Sequence, residues 1–504
     1  LCYYPVCRER YRAQFGKELP VQFAQFGPQW MRPDSSRSGD PDDDRLTHFL
    51  NDTAADLARA ITQAVKRSHR SAVVLYPASR KQGTPGNYDG KLEEIAQDNP
   101  SLQSLWDIGE LADYEAASPV PVLYPIPPRR HTDPEVRTKM WQTLANRAYP
   151  NVESLQGTAP VFAYLKENAG YYDFAHVQPV RFLAFPRSLS DDLVQQHLAP
   201  QESATAPFLD SDRGMYSALQ QAHLPIVTLH RDQLSESLQG FRVLVLADEV
   251  ILSDKQIQGI IRFVREGGGL IATHETSLYD EQGRRRANFG LAALFGADYL
   301  ETLPGVSTMN ATAQSGRNLC FAPALGIRKP QPAPEAHVLV RPTDASVVGT
   351  LRGTGLPKGA PAILLHAFGK GRVAYLPGRQ DALFARQGNS TTPALLERLV
   401  RWVSQDSVPV KVSGSGRIAV TLTDVPGHRL VHLVNQNTGS KTANPHITPL
   451  KRITVSLALP AGKRVTGAYA LRARKVLDVT LNGDRAVVHL PLLGEYEAVR
   501  FDLQ

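Results

Sequence analysis

Three cysteines in 504 residues, Cys2, Cys7 and Cys320, are too few for the disulfide framework of a stapled extracellular scaffold. No apolar run approaches the roughly 18 residues that a membrane-spanning helix needs. There is no dense Lys/Arg stripe interleaved with aromatics, and the sharpest basic cluster, Arg284 to Arg286, reads as a solvated loop. The formal charge of +7 is therefore not aimed at nucleic acid, and neither a nucleic-acid nor a membrane partner is expected. A Gly-x-Cys-x-Gly turn, which would present a reactive thiol, is missing. The chain starts at Leu1 without a methionine or a leader, in the middle of patterned sequence. An N-terminal part is expected before it, which leaves the compartment open, with the cytoplasm as the default.

What is present is ordinary for a globular protein: 42% apolar and 21% charged residues, in a chain long enough for two to four domains. Up to residue 180, helical spacing of Leu46, Phe49, Leu50, Leu57, Ile61 and Val65 precedes the β-rich run SAVVLYPAS. VPVLYPIPP, then the helix PEVRTKMWQTLANRAY, continue the alternation of strand and helix that marks a parallel α/β sheet or barrel. From 181 to 407 a second α/β region has the strands VRFLAFPRS, IVTLH, FRVLVLADEV and LIATH. Ser253 and Gln256 form a capping box that opens a helix. PAILLHAFGKGRVAYLPGRQD reads as two strands around a Gly-Lys-Gly turn, TPALLERLVRWVSQ as a closing helix, and APALGIRKPQPAPE as a proline-rich loop. From 408 to 504 alternating runs such as KRITVSLALP, with Asn482-Gly483 as a hairpin signal, predict an antiparallel β-sandwich.

The stretch FVREGGGLIATHE resembles a phosphate cradle, but its order is reversed. Phosphate-binding glycines follow a strand and open a helix. Here they follow a helix and open a strand, where glycine serves as a left-handed cap and a tight turn.

Three longer stretches carry a resemblance: GMYSALQQAHLPIVTLHRDQL, FRVLVLADEVILSDKQIQGIIRFVREGGGLIATHETSLYDEQG and ANFGLAALFGADY. With LVHLVNQN and the run after it, they resemble glycoside hydrolases of the family 42 β-galactosidase type and their hypothetical relatives. The resemblance implies a partial TIM barrel (1–180), a flavodoxin-like trimerisation domain shaped like a class I glutamine amidotransferase (181–407) and a β-sandwich (408–504). It implies a homo-oligomer, a trimer by analogy, acting on a carbohydrate without an organic cofactor. LCYYPVCRERYRAQFG resembles the family's cysteine stretch after barrel strand four, where some members hold structural zinc. Cys2 and Cys7 match two of those cysteines, but Tyr4 replaces a third, so zinc is not expected. The family's acid/base glutamate lies just upstream of that stretch, which would put it before Leu1.

Retaining glycosidases need two carboxyls flanking the scissile bond. Within the first region SLWDIGELADYEAAS crowds acids beside aromatics: Glu110 is the leading nucleophile candidate, with Asp107 and Glu115 behind it. Trp106 and Tyr114, together with Trp141, are candidates for stacking on sugar. A solvated amphipathic segment would show the same acids, and a core or rim place would suit Trp141 equally. In the second region His274 and Glu275 stand at the C-terminal end of the strand LIATH and are expected to make fixed hydrogen bonds at the sheet edge or a subunit interface; His366 is read likewise as structural. Two rival functions stand beside glycoside hydrolysis. One is a non-catalytic carbohydrate-binding or assembly protein on a degenerate barrel. The other is a hydrolase or amidotransferase centred on His274, which the missing nucleophile turn disfavours.

Overall fold

In a computed structural model the described residues are 5–18, 60, 63–65, 67, 75–78, 90–93, 122–126, 133–152, 157–173, 176–187, 207–230, 233–236, 238–303, 319–322, 325–332, 336–352, 357, 359–388, 391–437 and 447–504. The chain divides into two compact units, Leu1–Glu94 and Ile95–Gln504. In the first, helix α1 (Pro5–Phe15) buries Tyr11 against Phe15, the ring centres 4.9 Å apart. Strand β1 (Leu75–Ala78) pairs in parallel with β2 (Gly90–Glu93).

The second unit opens with β3 (Val122–Ile126), α2 (Asp133–Ala145) and β4 (Tyr149–Val152). β3 and β4 are parallel neighbours, so α2 is a crossover, as the alternation of VPVLYPIPP and PEVRTKMWQTLANRAY predicts. Helix α3 (Ala159–Glu167) and the two-residue strand β5 (Gln178–Pro179) follow.

The central region begins with β6 (Leu183–Arg187), α4 (Pro207–Gln221), β7 (Ile226–His230), α5 (Gln233–Glu236) and β8 (Val243–Leu246). Then come α6 (Asp254–Arg265), β9 (Gly269–Thr273), α7 (Ala292–Phe295) and β10 (Ala297–Leu303). The remaining elements are β11 (Leu319–Ala322), β12 (Ile327–Pro332), β13 (His337–Pro342), β14 (Ser346–Arg352), β15 (Pro361–Phe368), β16 (Gly371–Leu376), α8 (Gln380–Gln387) and α9 (Thr391–Val403). The region holds a separate β10-β13 pair and a nine-stranded sheet of order β12-β11-β14-β15-β16-β9-β8-β6-β7, parallel from β16 to β7 and antiparallel on the other side. Both faces of the parallel half are covered, which is why β8, and β9 up to Thr273, are apolar and why both are wholly buried along their length. Met215, Leu219, Leu395 and Leu399 pack on one face, Ile257, Ile260, Val264 and Leu294 on the other.

The capping box forms as predicted: Ser253 N–H donates to Gln256 Oε1 at 2.8 Å and Gln256 N–H to Ser253 Oγ at 3.2 Å. The glycines act in packing. Gly267 has φ 120°, a Cβ on Gly268 would enter the Phe263 ring, and one on Gly269 would meet the Val403 carbonyl oxygen at 2.6 Å. One expectation is corrected. The stretch read as a proline-rich loop contains β12, which is tolerated because an edge strand leaves one row of N–H groups without ladder partners, so Pro330 and Pro332 can sit there.

The C-terminal strands are β17 (Val410–Ser413), β18 (Ile418–Val425), β19 (His428–Asn435), β20 (Leu450–Ala458), β21 (Val465–Ala470), β22 (Lys475–Leu477), β23 (Thr480–Asn482), β24 (Arg485–Leu493) and β25 (Tyr496–Leu503). They form two antiparallel sheets, β17-β20-β24-β23 and β22-β21-β25-β19-β18-β5. Ile453, Val455 and Leu457 on the first share one core with Val420, Leu433 and Phe501 on the second. A separate core joins α2 and α3 to the other side of the six-stranded sheet, through Trp141, Tyr164, Tyr172 and Tyr496.

Candidate functional site

Of the residues expected to meet sugar, Trp106, Asp107, Glu110, Tyr114 and Glu115 lie outside the described residues, as does Cys2. Cys7 lies on α1, but its side chain is not among those described. Trp141 is fully buried on α2. Tyr496 stacks on its ring at 4.7 Å, the Arg472 guanidinium lies 4.7 Å from the ring centre, and its indole N–H donates to Glu495 Oε2 at 3.1 Å. Sugar stacking needs an open ring face, and here the tryptophan ring is enclosed by protein.

A densely connected polar cluster lies where β8, β9 and β16 end. The chain leaves β8 through Asp248 (φ 53°) and β9 through His274 (φ 47°), with Ser277 at φ 69° in the next turn. A left-handed conformation costs a side-chain-bearing residue on the order of 1–2 kcal/mol, so surrounding bonds must hold it. Those bonds are present. Asp248 Oδ1 accepts from His274 Nδ1 and from the Glu275 N–H, both at 3.1 Å, and Oδ2 accepts from Arg379 Nε at 2.7 Å. Thr273 Oγ1 accepts from the Asp248 N–H at 2.9 Å and donates to Asp381 Oδ2 at 2.8 Å. Tyr375 donates to the His274 carbonyl at 2.5 Å, and Thr302 to Glu275 Oε1 at 2.5 Å.

The electrostatics separate two buried carboxyls. Burial pushes Asp248 up, but Arg379 foremost, then His274 and the Glu275 N–H, hold it at about 2. Burial, reinforced by the charge of Asp248, pushes Asp381 up to about 6. His337, beside this cluster, is driven down to about 4 by burial. His274 and Glu275 thus make the fixed hydrogen bonds expected of them, and His366 donates through Nδ1 to the Leu294 carbonyl at 2.9 Å. With His274 only 2% exposed and oriented by an ionised aspartate, the dyad has the geometry of a base but lies sealed from solvent. Its evident work is to pin the strand ends together.

Asp248, Arg379 and Asp381 are the members of this cluster that pattern reading overlooks. The available signal was an acid within five residues of the end of each of two buried apolar runs, in VLVLADE and VAYLPGRQD. Elsewhere His432 lies between Thr423 Oγ1 (2.8 Å) and the Tyr496 hydroxyl (2.7 Å), held neutral by burial that lowers it to about 3. Among the described residues no three His, Cys, Asp or Glu side chains gather as a metal site requires.

The surrounding domain can now be placed. Residues 210–404 match the β-galactosidase trimerisation domain. Asp248, His274, Arg379 and Asp381 all lie inside that domain. Among solved structures, an α-L-fucosidase isoenzyme 2 from Paenibacillus thiaminolyticus is 13% identical, with TM-score 0.70, over 100% of this chain and 76% of its own. A β-galactosidase from Bacillus circulans sp. alkalophilus is 12% identical, with TM-score 0.68, over 99% and 77%. A catalytic mutant of a GH42 β-galactosidase from G. stearothermophilus is 14% identical, with TM-score 0.66, over 100% and 77%. No curated protein matches the sequence. The chain resembles the family 42 type of glycoside hydrolase, as the quoted stretches imply, and at these identities the likeness to solved structures is one of fold.

Proposed function

We propose that this chain is a glycoside hydrolase that cleaves O-glycosidic bonds with two carboxyls and retention of configuration. Residues 1–180 are the later part of its TIM barrel, 181–407 its amidotransferase-like assembly domain and 408–504 its β-sandwich. The observation that carries this reading is the trimerisation domain at 210–404, within a fold shared over nearly the whole chain with glycosidases. Glu110 attacks the anomeric carbon, with Asp107 and Glu115 the next candidates for that role, and Trp106 and Tyr114 stack on the sugar. Three copies assemble through the central domain. The names of the similar structures point to β-galactosides and α-L-fucosides as substrates to try first.

The test is hydrolysis of a panel of nitrophenyl glycosides, β-D-galactoside and α-L-fucoside included, by the full-length protein and its Glu110→Gln variant. The reading expects turnover of at least one glycoside and a loss of about a thousandfold or more in the variant. Full activity in the variant removes Glu110 as nucleophile. No turnover across the panel, with sugar binding or trimer formation intact, replaces the enzyme with the assembly or binding protein.

A further inference from the structure

His223 occupies the joint between α4 and the C-terminal strands, and each of its ring nitrogens faces a backbone carbonyl oxygen. It follows α4 in the left-handed conformation (φ 56°) that ends many helices. The Leu224 N–H reaches back to the Leu219 carbonyl at 3.2 Å, and the His223 N–H to the Gln220 carbonyl at 2.9 Å. Glycine or asparagine takes this conformation with less strain than histidine. What the imidazole offers in exchange is visible at its two nitrogens. Nδ1 lies 2.9 Å from the Val412 carbonyl oxygen at the end of β17, and Nε2 3.3 Å from the Gly416 carbonyl oxygen in the following turn.

A carbonyl oxygen only accepts, and a neutral imidazole has one N–H and one lone pair. The ring can donate to both carbonyls at once only when both nitrogens carry hydrogen. We infer that His223 is a proton-dependent clamp: its imidazolium fastens the end of α4 to the Val412–Gly416 turn, and loss of the second proton releases the Gly416 side.

Two further observations agree. The last turn of α4 has no basic residue, so a cation at His223 is the charge that complements the partial negative end of that helix. The turn is also built to present its carbonyl. Gly416 adopts φ 111° with no room for a Cβ beside Asn437, and Asn437 exchanges hydrogen bonds with the Arg417 backbone at 3.0 and 2.9 Å. The charged groups around the clamp are few. Lys411 on β17 faces Asp406 at 3.9 Å, Arg417 is exposed, β19 contributes the neutral Gln436 and Asn437, and Asp210 and Arg213 stand toward the far end of α4. Among the described residues no carboxylate pairs with His223, so the clamp is made by backbone oxygens alone.

The deciding experiment uses the intact chain labelled with 15N-histidine, titrated from about pH 5 to about pH 8, the range in which histidine changes charge. His223→Asn, which accepts the left-handed conformation and does not titrate, assigns the resonance. The inference expects both ring nitrogens protonated at the acid end, with an about tenfold rise in amide exchange of residues 414–417 across the titration, after correction for intrinsic rates. In His223→Asn that exchange stays fast throughout. A His223 ring with one bare nitrogen at about pH 5, or equal exchange in the two proteins across the range, overturns it.

Discussion

Trp141 and Tyr496, from distant parts of the chain, stack with ring centres 4.7 Å apart and planes 6° from parallel. Glu495 locks this contact, accepting from Trp141 Nε1 at 3.1 Å, Arg137 Nε at 2.8 Å and Arg472 Nη2 at 3.2 Å. Burial raises its carboxyl, but the bonds from Arg137 and Trp141 outweigh burial and hold it below its usual range. Helix α2 is therefore tied to the C-terminal sheets by one half-buried anion. Glu495→Ala, which leaves two guanidiniums and an indole N–H without that acceptor, is expected to lower the unfolding free energy by about 3 kcal/mol. Urea unfolding followed by tryptophan fluorescence checks this, and a loss well under about 1 kcal/mol would contradict it.

The strand-end cluster makes a sharper demand. Asp248→Asn keeps the shape but strips the charge that faces Arg379 and His274. Breaking a buried pair by removing one partner costs about 3–5 kcal/mol, because the other charge stays buried. The variant is expected to unfold at lower denaturant concentration, while Arg284→Ala, which removes an exposed guanidinium from Asp280, leaves the midpoint nearly unchanged.

Local pattern made much of this fold legible. The period of two in Ile453, Val455 and Leu457, the capping box at Ser253 and the turn at Gly369 and Lys370 each depend on neighbours a few residues away, and each stands where it was expected. What escaped depends on distant partners. β12 is a strand because β11 offers it an edge, although IRKPQP carries turn-forming prolines. Trp141 is enclosed because Tyr496 and Glu495 meet it, which nothing near residue 141 announces. Asp248 and Arg379 are brought together only when β8 and β16 flank β9 in the sheet. The candidate acids around Glu110 lie outside the described residues, so their place continues to rest on sequence.

The triple glycine yields a prediction that separates packing from phosphate binding. A Cβ at Gly269 would lie 2.6 Å from the Val403 carbonyl oxygen and 2.9 Å from its Cβ, at the end of α9. Backbone there cannot yield cheaply, so Gly269→Ala is expected to destabilise by about 1–3 kcal/mol. Thermal unfolding of the variant measures it. The same assay on the wild type should show no shift when a nucleoside triphosphate is added, and a shift would restore the phosphate cradle.

Asp381 and Asp248 should give the central domain opposing pH slopes. Asp381 has its folded value raised from 3.8 to about 6, so between these the folded state binds more protons than the unfolded one. Stability from this group is full below about 4 and falls as pH rises toward about 6, by up to about 1.4 kcal/mol per pH unit. Asp248, lowered from 3.8 to about 2, does the reverse: its contribution is present above about 4 and is lost as pH falls toward about 2. The two carboxyls alone would therefore place an optimum near pH 4. Single substitutions resolve the arms. Asp381→Asn should flatten the upper slope and leave the lower. Asp248→Asn should remove the lower slope and shrink the upper as well, because the charge of Asp248 is one of the causes that raise Asp381. Chemical denaturation at several pH values measures both, and an upper slope unchanged by Asp248→Asn would show that burial alone raises Asp381.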